Sequence, residues 1–252
     1  MKKEITSINP GGSYSVESHE QNVKNMFNSI TSTYDLLNRL MSLRQDVSWR
    51  RKMIENLPEN LTTVLDVATG TGDVALESIR QFPRVKVIGV DIAVNMLKAA
   101  KEKVSGLKLP DRVNLLGGNT MNLPFGSAAF NAVTIAFGLR NVFDHHRALC
   151  EMYRVLKPQG KVIILDLSFA PSGLLRPIIN LYFKTVLPLM GLFIARDRQA
   201  YTYLPDSIRK FLSPEDLKKM MISIGFSEVK LIPLAFGIVH LHVGKKPAAN
   251  EN

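Results

Sequence analysis

Short apolar runs alternate with helix-like stretches from residue 62 to residue 168, and this alternation constrains the fold more than any other feature. The apolar runs are "TTVLDVA", "VKVIGVD", "RVNLLGG", "AFNAVTIAF" and "GKVIILDLS". Runs of this length and composition are typical of strands in a parallel sheet whose crossover helices cover both faces. The sequence therefore predicts a doubly wound α/β sheet.

The C-terminal part departs from this alternation. A helix is predicted over "SPEDLKKMMISIGF", and the apolar runs "SEVKLIPLAF" and "GIVHLHVGK" follow it with no helix between them. Consecutive strands joined by a short turn pair antiparallel, because a parallel pairing needs a long crossover. We therefore expect seven strands in a mostly parallel sheet with an antiparallel C-terminal strand.

The chain is predicted to form a single domain over residues 21–252, after a mobile polar arm over residues 1–20 that lacks the apolar core of a signal peptide. The domain is expected to begin with a helical cap over residues 21–57 and a cofactor-binding core over residues 61–168. An apolar helical insertion or lid over residues 170–210 and a C-terminal helix with a β-hairpin over residues 211–244 are expected to follow. Residues 177–195 are nearly all apolar, but Lys184 and Pro188 interrupt them. A kinked helix pair is therefore favoured over a membrane-spanning helix.

The chain is basic, with a formal net charge of +10. Its basic residues are spread over short groups such as "WRRK", "KAAKEK" and "GKK", so no nucleic-acid partner is predicted and a solvated surface is favoured. Such a surface would also help hold the protein near anionic lipid headgroups. The single cysteine, Cys150, excludes an internal disulfide and fits a reducing compartment such as the cytoplasm.

A glycine turn joins the first strand to the first crossover helix, in "VLDVATGTGDVAL" over residues 64–76. This position, at the carboxyl end of a central strand, is the usual ligand crevice of a doubly wound sheet. Gly70 and Gly72 allow the backbone to turn tightly and to approach a ligand closely. The segment "GTGDVA" also matches a dinucleotide fingerprint, and Asp91 suits a ribose in either class of site.

Charge separates the two classes of nucleotide. Asp66 precedes the turn and Asp73 follows it, and carboxylates in these positions would repel a pyrophosphate. S-adenosylmethionine has no phosphate and carries an ammonium and a sulfonium, so the acidic residues favour it. Asn119, in the loop after the third strand, is placed to bond the adenine edge, beside Thr120 and Met121.

Several segments together resemble class I S-adenosylmethionine-dependent methyltransferases, which have a Rossmann-like fold, and more narrowly the ubiquinone/menaquinone biosynthesis C-methyltransferase family. These segments are "YDLLNRLMSLRQDVSW", "LDVATGTGD", "NTMNLPF", "FGLRNV", "MYRVLKPQGKVIILDLS" and "YTYLPDSIRKF". The resemblance extends from about residue 22 to residue 244. It implies methylation of a ring carbon of a polyprenylated benzoquinol or naphthoquinol, with cofactor positions at Thr71, Asp91, Asn119, Thr120 and Ala136.

The chain departs from the family pattern at five positions. Ala136 stands where serine is usual and lacks its hydroxyl, and Thr120 stands where alanine is usual. Asp46 replaces a usual histidine, Gln159 a usual glycine and Asp166 a usual glutamate. The choice between benzoquinol and naphthoquinol, the length of the prenyl tail and the oligomeric state stay open.

Methylation of an aromatic carbon requires a neighbouring hydroxyl to ionise, and a free phenol has a pKa near 10. Arg140 is our candidate for stabilising the phenolate, because a guanidinium stays charged at any working pH. Asn141 would orient a ring oxygen, and Tyr34 would close over the ring. The proton acceptor is open between a water near Arg140, Asp144 and Asp35. Pairing of Arg140 with Asp144 alone is the alternative to a catalytic role.

Three other functions are compatible with the sequence. The first is a methyltransferase of the same fold that acts on another small phenol, a sterol or a tocopherol-like lipid. The second is an RNA-modifying enzyme, and the third is a scaffold without catalysis. No metal is expected, because His240 and His242 share one strand face without a third ligand. The expected partner is the quinol substrate. The protein is expected to contact the inner face of the membrane peripherally, and to act as a homodimer or in an assembly with other quinone-biosynthesis enzymes.

Overall fold

A single sheet of seven strands forms the centre of the computed structural model, which describes residues 15–107, 110–168 and 198–248. The strands are β1 Thr63–Val67, β2 Lys86–Asp91, β3 Val113–Gly117, β4 Phe130–Ala136, β5 Leu156–Leu167, β6 Ser227–Leu234 and β7 Val239–Lys245. Their order is β3-β2-β1-β4-β5-β7-β6, with β1 to β5 paired in parallel and β7 antiparallel to both of its neighbours. The prediction of a mostly parallel sheet with an antiparallel C-terminal strand is confirmed.

Seven α-helices lie in the described parts of the chain. They are α1 Val16–Met41, α2 Gln45–Ile54, α3 Asp73–Gln81, α4 Val94–Gly106, α5 His145–Val155, α6 Arg198–Lys210 and α7 Pro214–Ile224. Helix α1 begins within the segment predicted to be a mobile polar arm. Ser15 caps it by accepting a hydrogen bond from the Ser18 N–H at 3.2 Å, and Glu17 lies in its first turn, where a carboxylate favours the helix dipole.

The sheet carries an apolar core on each face, because successive residues of a strand point to opposite sides. Ile163 and Leu165 of β5 pack with helices α2, α3 and α4 on one face, and Val162 and Ile164 pack with α5 and α7 on the other. The helical side chains of the first core include Met53, Ile54, Ala75, Ile79 and Val104, and those of the second include Leu149, Met152, Leu217 and Met221. The two cores fix the strand ends relative to each other.

The crossover connections diverge at β1, which has β2 on one side and β4 on the other. In open α/β sheets this divergence leaves a crevice outside the carboxyl ends of the strands. Helix α1 lies at this crevice and contacts α4 and α2. We call this side of the molecule the carboxyl edge of the sheet.

Most of the predicted apolar helical insertion or lid, over residues 170–210, lies outside the described residues. Its described end is α6. Among the helices that the structure describes, none combines the length and the apolar character needed to cross a membrane.

Gln159 is a strained residue at one of the positions where the sequence departs from the family pattern. Gln159, which stands where the resembling family usually has glycine, adopts φ +65°. This left-handed conformation is costly for a residue with a Cβ and suits glycine. The usual glycine at this position is therefore explained by backbone geometry.

Candidate functional site

A cavity opens at the carboxyl edge between the sheet and α1, and it encloses about 720 Å³, part of which is open to solvent. The loops after β1, β2, β3 and β4 form its floor. Its lining residues are Glu20, Val23, Phe27, Tyr34, Ala68, Gly70, Asp91, Ile92, Met96, Asn119, Thr120, Met121, Ala136, Phe137, Gly138, Asn141, Val142 and Phe143.

The glycine turn needs both of its glycines. Gly70 has φ +56° and Gly72 has φ +83°, values that side-chain-bearing residues adopt rarely. A Cβ at Gly70 would meet no atom within 4 Å, so open space lies beside this residue at the cavity. A Cβ at Gly72 would lie 3.2 Å from the Ala100 Cβ, so this glycine lets α3 begin close to α4.

Asp91, at the end of β2, ties the turn to the cavity floor. Its carboxylate accepts hydrogen bonds from the backbone N–H groups of Gly70 and Ala93, both at 2.8 Å. Burial raises the pKa of Asp91 despite these hydrogen bonds. A carboxylate retains further lone pairs when two are used, so Asp91 can still accept the hydroxyls of a ribose.

Asp66 lies beneath the turn and does not line the cavity. The hydroxyls of Thr69 and Thr134 donate to its carboxylate at 2.6 and 2.8 Å. Burial raises the pKa of Asp66 to about 6, against the lowering effect of these two hydrogen bonds. Asp66 therefore supports the turn from below instead of facing a ligand.

Thr71 and Asp73 join a charged cluster that connects the N-terminal helices to the core. The cluster consists of Asp35, Arg39, Asp46, Arg50, Asp73 and Lys103, three anions and three cations. The Thr71 hydroxyl donates to Asp35 at 2.7 Å and accepts from the Lys103 ammonium at 3.0 Å. Thr71 is buried and its side chain does not line the cavity, so both of its polar contacts lie within the protein.

The charged cluster neutralises Asp73, which the sequence predicted to make the ligand site acidic. Burial alone would raise the pKa of Asp73, but Arg50, Lys103 and Arg39 outweigh it and lower the pKa to about 2. Because these cations neutralise it, Asp73 does not make the cavity acidic. The carboxylates that face the cavity are those of Asp91 and Glu20, and none of its described lining residues is Lys, Arg or His.

Asn119 and Thr120 line the cavity on the β3 side, as does Ala136 on the β4 side. The Asn119 amide donates to the Glu20 carboxylate at 2.6 Å, and its oxygen accepts from the Met121 N–H at 2.8 Å. Glu20 was placed in the polar arm from the sequence, so its contribution to the site was missed. The signal available was Ser15, which has the residue type of a helix N-cap.

Arg140 and Asn141 follow β4, in a short 3-10 turn. The Arg140 guanidinium pairs with Asp166 at 2.7 Å, and its Nη1 also donates to the Phe137 carbonyl. Asp144 instead caps α5 by accepting from the Arg147 N–H at 2.9 Å, so it is not the partner of Arg140. Arg140 does not line the cavity, whereas its neighbour Asn141 does.

Two polar atoms of this turn are buried without a hydrogen-bond partner, namely the Nε of Arg140 and the Oδ1 of Asn141. Buried polar atoms are almost always paired, so unpaired ones indicate a ligand or water position. Tyr34 lines the cavity from α1, where its ring packs edge-on against Phe27 with centroids 6.1 Å apart. Tyr34 and Asn141 thus share one cavity with the residues expected to bind a cofactor.

The remaining polar candidates have other partners. The Asp35 carboxylate pairs with Lys103 at 2.6 Å. His240 shares a 2.5 Å hydrogen bond with the Ser168 hydroxyl, and His242 shares one with the Pro214 carbonyl at 2.9 Å. No group of three or more His, Cys, Asp or Glu residues suited to a metal ion occurs in the described residues.

Comparison with known proteins adds an independent observation. The family model of the ubiE/COQ5 methyltransferase family matches residues 15–246. The demethylmenaquinone methyltransferase of Thermus thermophilus is 43% identical over 223 residues, which cover 88% of this chain and 100% of that protein. The ubiquinone/menaquinone biosynthesis C-methyltransferase of Citrifermentans bemidjiense is 41% identical and covers 92% of this chain and 100% of its own length.

Solved structures share the fold at lower identity. The [4+2]-cyclase SpnF has a TM-score of 0.69 at 17% identity, covering 91% of this chain and 97% of its own. A methyltransferase from Thermotoga maritima, titled as dependent on S-adenosylmethionine, has a TM-score of 0.63 at 21% identity, covering 88% and 99%. At these identities the likeness establishes the fold alone.

Proposed function

Because the chain belongs to the ubiE/COQ5 methyltransferase family, we propose that it transfers a methyl group from S-adenosylmethionine to a ring carbon of a polyprenylated quinol. The charge of the cavity lining supports S-adenosylmethionine as the cofactor. Two carboxylates line it, and no cation does among the described residues. This lining favours a positively charged sulfonium and disfavours a diphosphate.

The residues of the cavity fit the parts of this cofactor. Asp91 would accept the ribose hydroxyls, and Asn119 and Thr120 would meet the adenine edge, beside the apolar side chain of Met121. Gly70 leaves open space for the ligand, and the backbone at Ala136 would make the contact for which the chain has no hydroxyl. When bound, the cofactor supplies an electrophilic methyl carbon on a sulfonium.

Asn141 and Arg140 would act on the quinol. The unpaired Oδ1 of Asn141 can accept a hydrogen bond from a ring hydroxyl. Arg140 does not line the cavity, so its unpaired Nε–H would act through a water on an oxygen that becomes anionic. Asp166 fixes the guanidinium, which lowers the reorganisation needed when charge develops. Tyr34 would close the cavity over the ring, and its position would help hold the ring carbon for attack.

The ring carbon would take the methyl group as the methyl–sulfur bond breaks, with adenosylhomocysteine as the leaving group, while the ring hydroxyl gives up its proton. The ring carbon would then lose its own proton to restore aromaticity and the ring oxygen would regain one, so one proton is released in total. Asp35 and Asp144 are both engaged, the first in an ion pair and the second in a helix cap. We therefore assign the proton to a water beside Arg140. Naphthoquinol and benzoquinol both stay candidate rings, since one relative is named for demethylmenaquinone and another, at similar identity, for ubiquinone/menaquinone biosynthesis.

A methylation assay tests the proposal. Labelled S-adenosylmethionine is incubated, without oxygen, with reduced demethylated quinones of both types, and the product is located by mass spectrometry and NMR. We expect label on a ring carbon of at least one quinol. Asn141→Ala should lower kcat/KM for the quinol about 100-fold through loss of an oriented hydrogen bond.

The matched control is Asn114→Ala, which removes an exposed amide on β3 and should keep full activity. Label on oxygen, or no product from either quinol, would contradict the assignment. Full activity of Asn141→Ala would remove Asn141 from the mechanism.

The place of action is part of the same proposal. A prenylated quinol dissolves in a bilayer, so the protein would work in the cytoplasm at the inner face of the membrane. A homodimer or an assembly with other quinone-biosynthesis enzymes is the proposed organisation, and sedimentation of the purified protein distinguishes a dimer from a monomer.

A further inference from the structure

The exposed apolar side chains are distributed unevenly over the molecule. Ten large ones are exposed in the described residues: Val16, Leu36, Leu40, Leu43, Val94, Leu107, Leu116, Phe143, Ile222 and Phe236. Leu107 follows α4 and Ile222 lies near the end of α7, both at the edge where strands begin. The other eight lie on α1, just after it, or at the carboxyl edge.

The placement of Phe236 follows from strand register. It lies in the turn that enters β7, and Val239 of β7 pairs with Leu167, the last residue of β5. The turn therefore projects from the carboxyl edge. Phe236 is 82% exposed and adopts φ +55°, a left-handed conformation that is rare for an aromatic residue.

Leu43 has the same two properties on another loop. It is 82% exposed with φ +51°, in the turn between α1 and α2. Arg39 near the end of α1 pairs with Asp73 at the start of α3, which places this turn at the carboxyl edge as well. Strained loop residues of this kind tend to occur where a protein makes functional contacts.

Leu36 and Leu40 extend the apolar surface along α1. Leu36 and Leu40 are one helical turn apart and share the exposed face of α1, beside the stripe on which Leu37 is buried at 2% exposure. Leu43 follows in the turn after the helix ends. Arg44, next to Leu43, is exposed. We call the surface made by Leu36, Leu40, Leu43, Arg44 and Phe236 the apolar rim.

We infer that the apolar rim docks the protein on an anionic lipid bilayer, with the cavity mouth facing the membrane. The inference rests on the proposed function, because a prenylated ring must pass from lipid into a cavity that opens on this same side. Apolar side chains at the tips of loops enter the interface, and the net charge of +10 attracts anionic headgroups.

Vesicle flotation with the full chain tests the rim. The probe is phosphatidylcholine vesicles with and without phosphatidylglycerol, at low and at high salt. We expect the wild type to float with anionic vesicles at low salt, and the double variant Leu43→Ser/Phe236→Ser to partition about 100-fold more weakly, from the lost burial of two large side chains. The matched control is Leu107→Ser/Ile222→Ser, which removes two exposed apolar side chains from the opposite edge and should float like the wild type.

Circular dichroism and adenosylhomocysteine affinity establish that each variant is folded. Equal flotation of both double variants, absence of wild-type flotation, or self-association without vesicle binding would overturn the docking inference.

Methylation assays with a short-chain and a long-chain quinol distinguish a failure of the docking inference from a failure of the proposed function. The rim variant should methylate a short-chain, water-soluble quinol at the wild-type rate and lose activity on a long-chain quinol in vesicles. Methylation of the short-chain quinol by a wild type that binds no vesicles refutes the docking surface alone. Vesicle binding without methylation of either quinol refutes the proposed function alone.

Discussion

Asp66 and Asp73 flank the same glycine turn, yet the folded protein gives their carboxyl groups opposite properties. Asp66 forms no ion pair with any residue that the structure describes, and burial raises its pKa to about 6 against the lowering effects of its two hydrogen bonds and of Arg50. Asp73 is surrounded by Arg39, Arg50 and Lys103, and its pKa is lowered to about 2. Residue type and sequence position are similar, so the difference arises entirely from tertiary neighbours.

Asp66 should make the folded protein less stable as pH rises. The unfolded chain releases this proton near pH 3.8 and the folded chain near pH 6, so the stabilisation is present below pH 4 and is lost as pH approaches 6. Asp66→Asn cannot ionise, so its stability relative to wild type should increase by about 2 kcal/mol between pH 4 and pH 6. Urea unfolding across this range measures the difference.

The exposed carboxyl of Asp111 is the control for the pH dependence expected from Asp66. Asp111→Asn changes the same group on the surface, and its unfolding curves should track the wild type at every pH. If the Asp66→Asn and wild-type stabilities change in parallel from pH 4 to pH 6, the carboxyl of Asp66 does not hold its proton as described.

At the scale of elements, the charged cluster connects α1 and α2 to the start of α3 and the end of α4. Asp46, which stands where the resembling family usually has histidine, lies between Arg39 and Arg50 and is buried at 3% exposure. A carboxylate in this position balances two guanidinium groups that, beside a neutral histidine, would have to share the Asp73 carboxylate with Lys103. The departure therefore has a structural explanation in its two arginine partners.

Asp46→Asn should destabilise the protein by about 3 kcal/mol, because it leaves buried guanidinium charge uncompensated. Hydrogen exchange of α1 amides should accelerate while exchange in α5 stays unchanged. The control is Asp206→Asn, whose carboxylate is 60% exposed and only 3.8 Å from Arg209, so its loss should cost less than about 1 kcal/mol. Equal stability of the two variants would show that the cluster does not hold α1.

Local pattern predicted the strands, the glycine turn and the positions of Asp91 and Asn119, because apolar periodicity and turn chemistry act over a few residues. The pairing of Arg140 with Asp166 joins residues 26 apart, and that of Asn119 with Glu20 joins residues 99 apart. Such partners depend on how elements pack, which periodicity does not encode. For the same reason the sequence suggested Asp144 as the partner of Arg140, four residues away.

At the scale of the whole molecule, the cavity is assembled from the ends of four strands and from α1. Its ligand preference is therefore a property of the complete fold. Adenosylhomocysteine at 100 times its Kd should stabilise the protein by about 2.7 kcal/mol, whereas NADH should give no heat and no stabilisation. Titration calorimetry and thermal unfolding with both ligands measure this, and binding of NADH without adenosylhomocysteine would reverse the cofactor assignment.

The hydrogen bond between Glu20 and Asn119 makes α1 a partner of the same side chain that would recognise adenine. An amide nitrogen has two N–H groups, so a nucleoside can use the second one while Glu20 keeps the first. A ligand that needs both N–H groups must break the contact with α1, and its apparent affinity is then reduced by the fraction of molecules in which that contact is broken. The helix therefore sets which orientation of the base this amide can bind without a penalty.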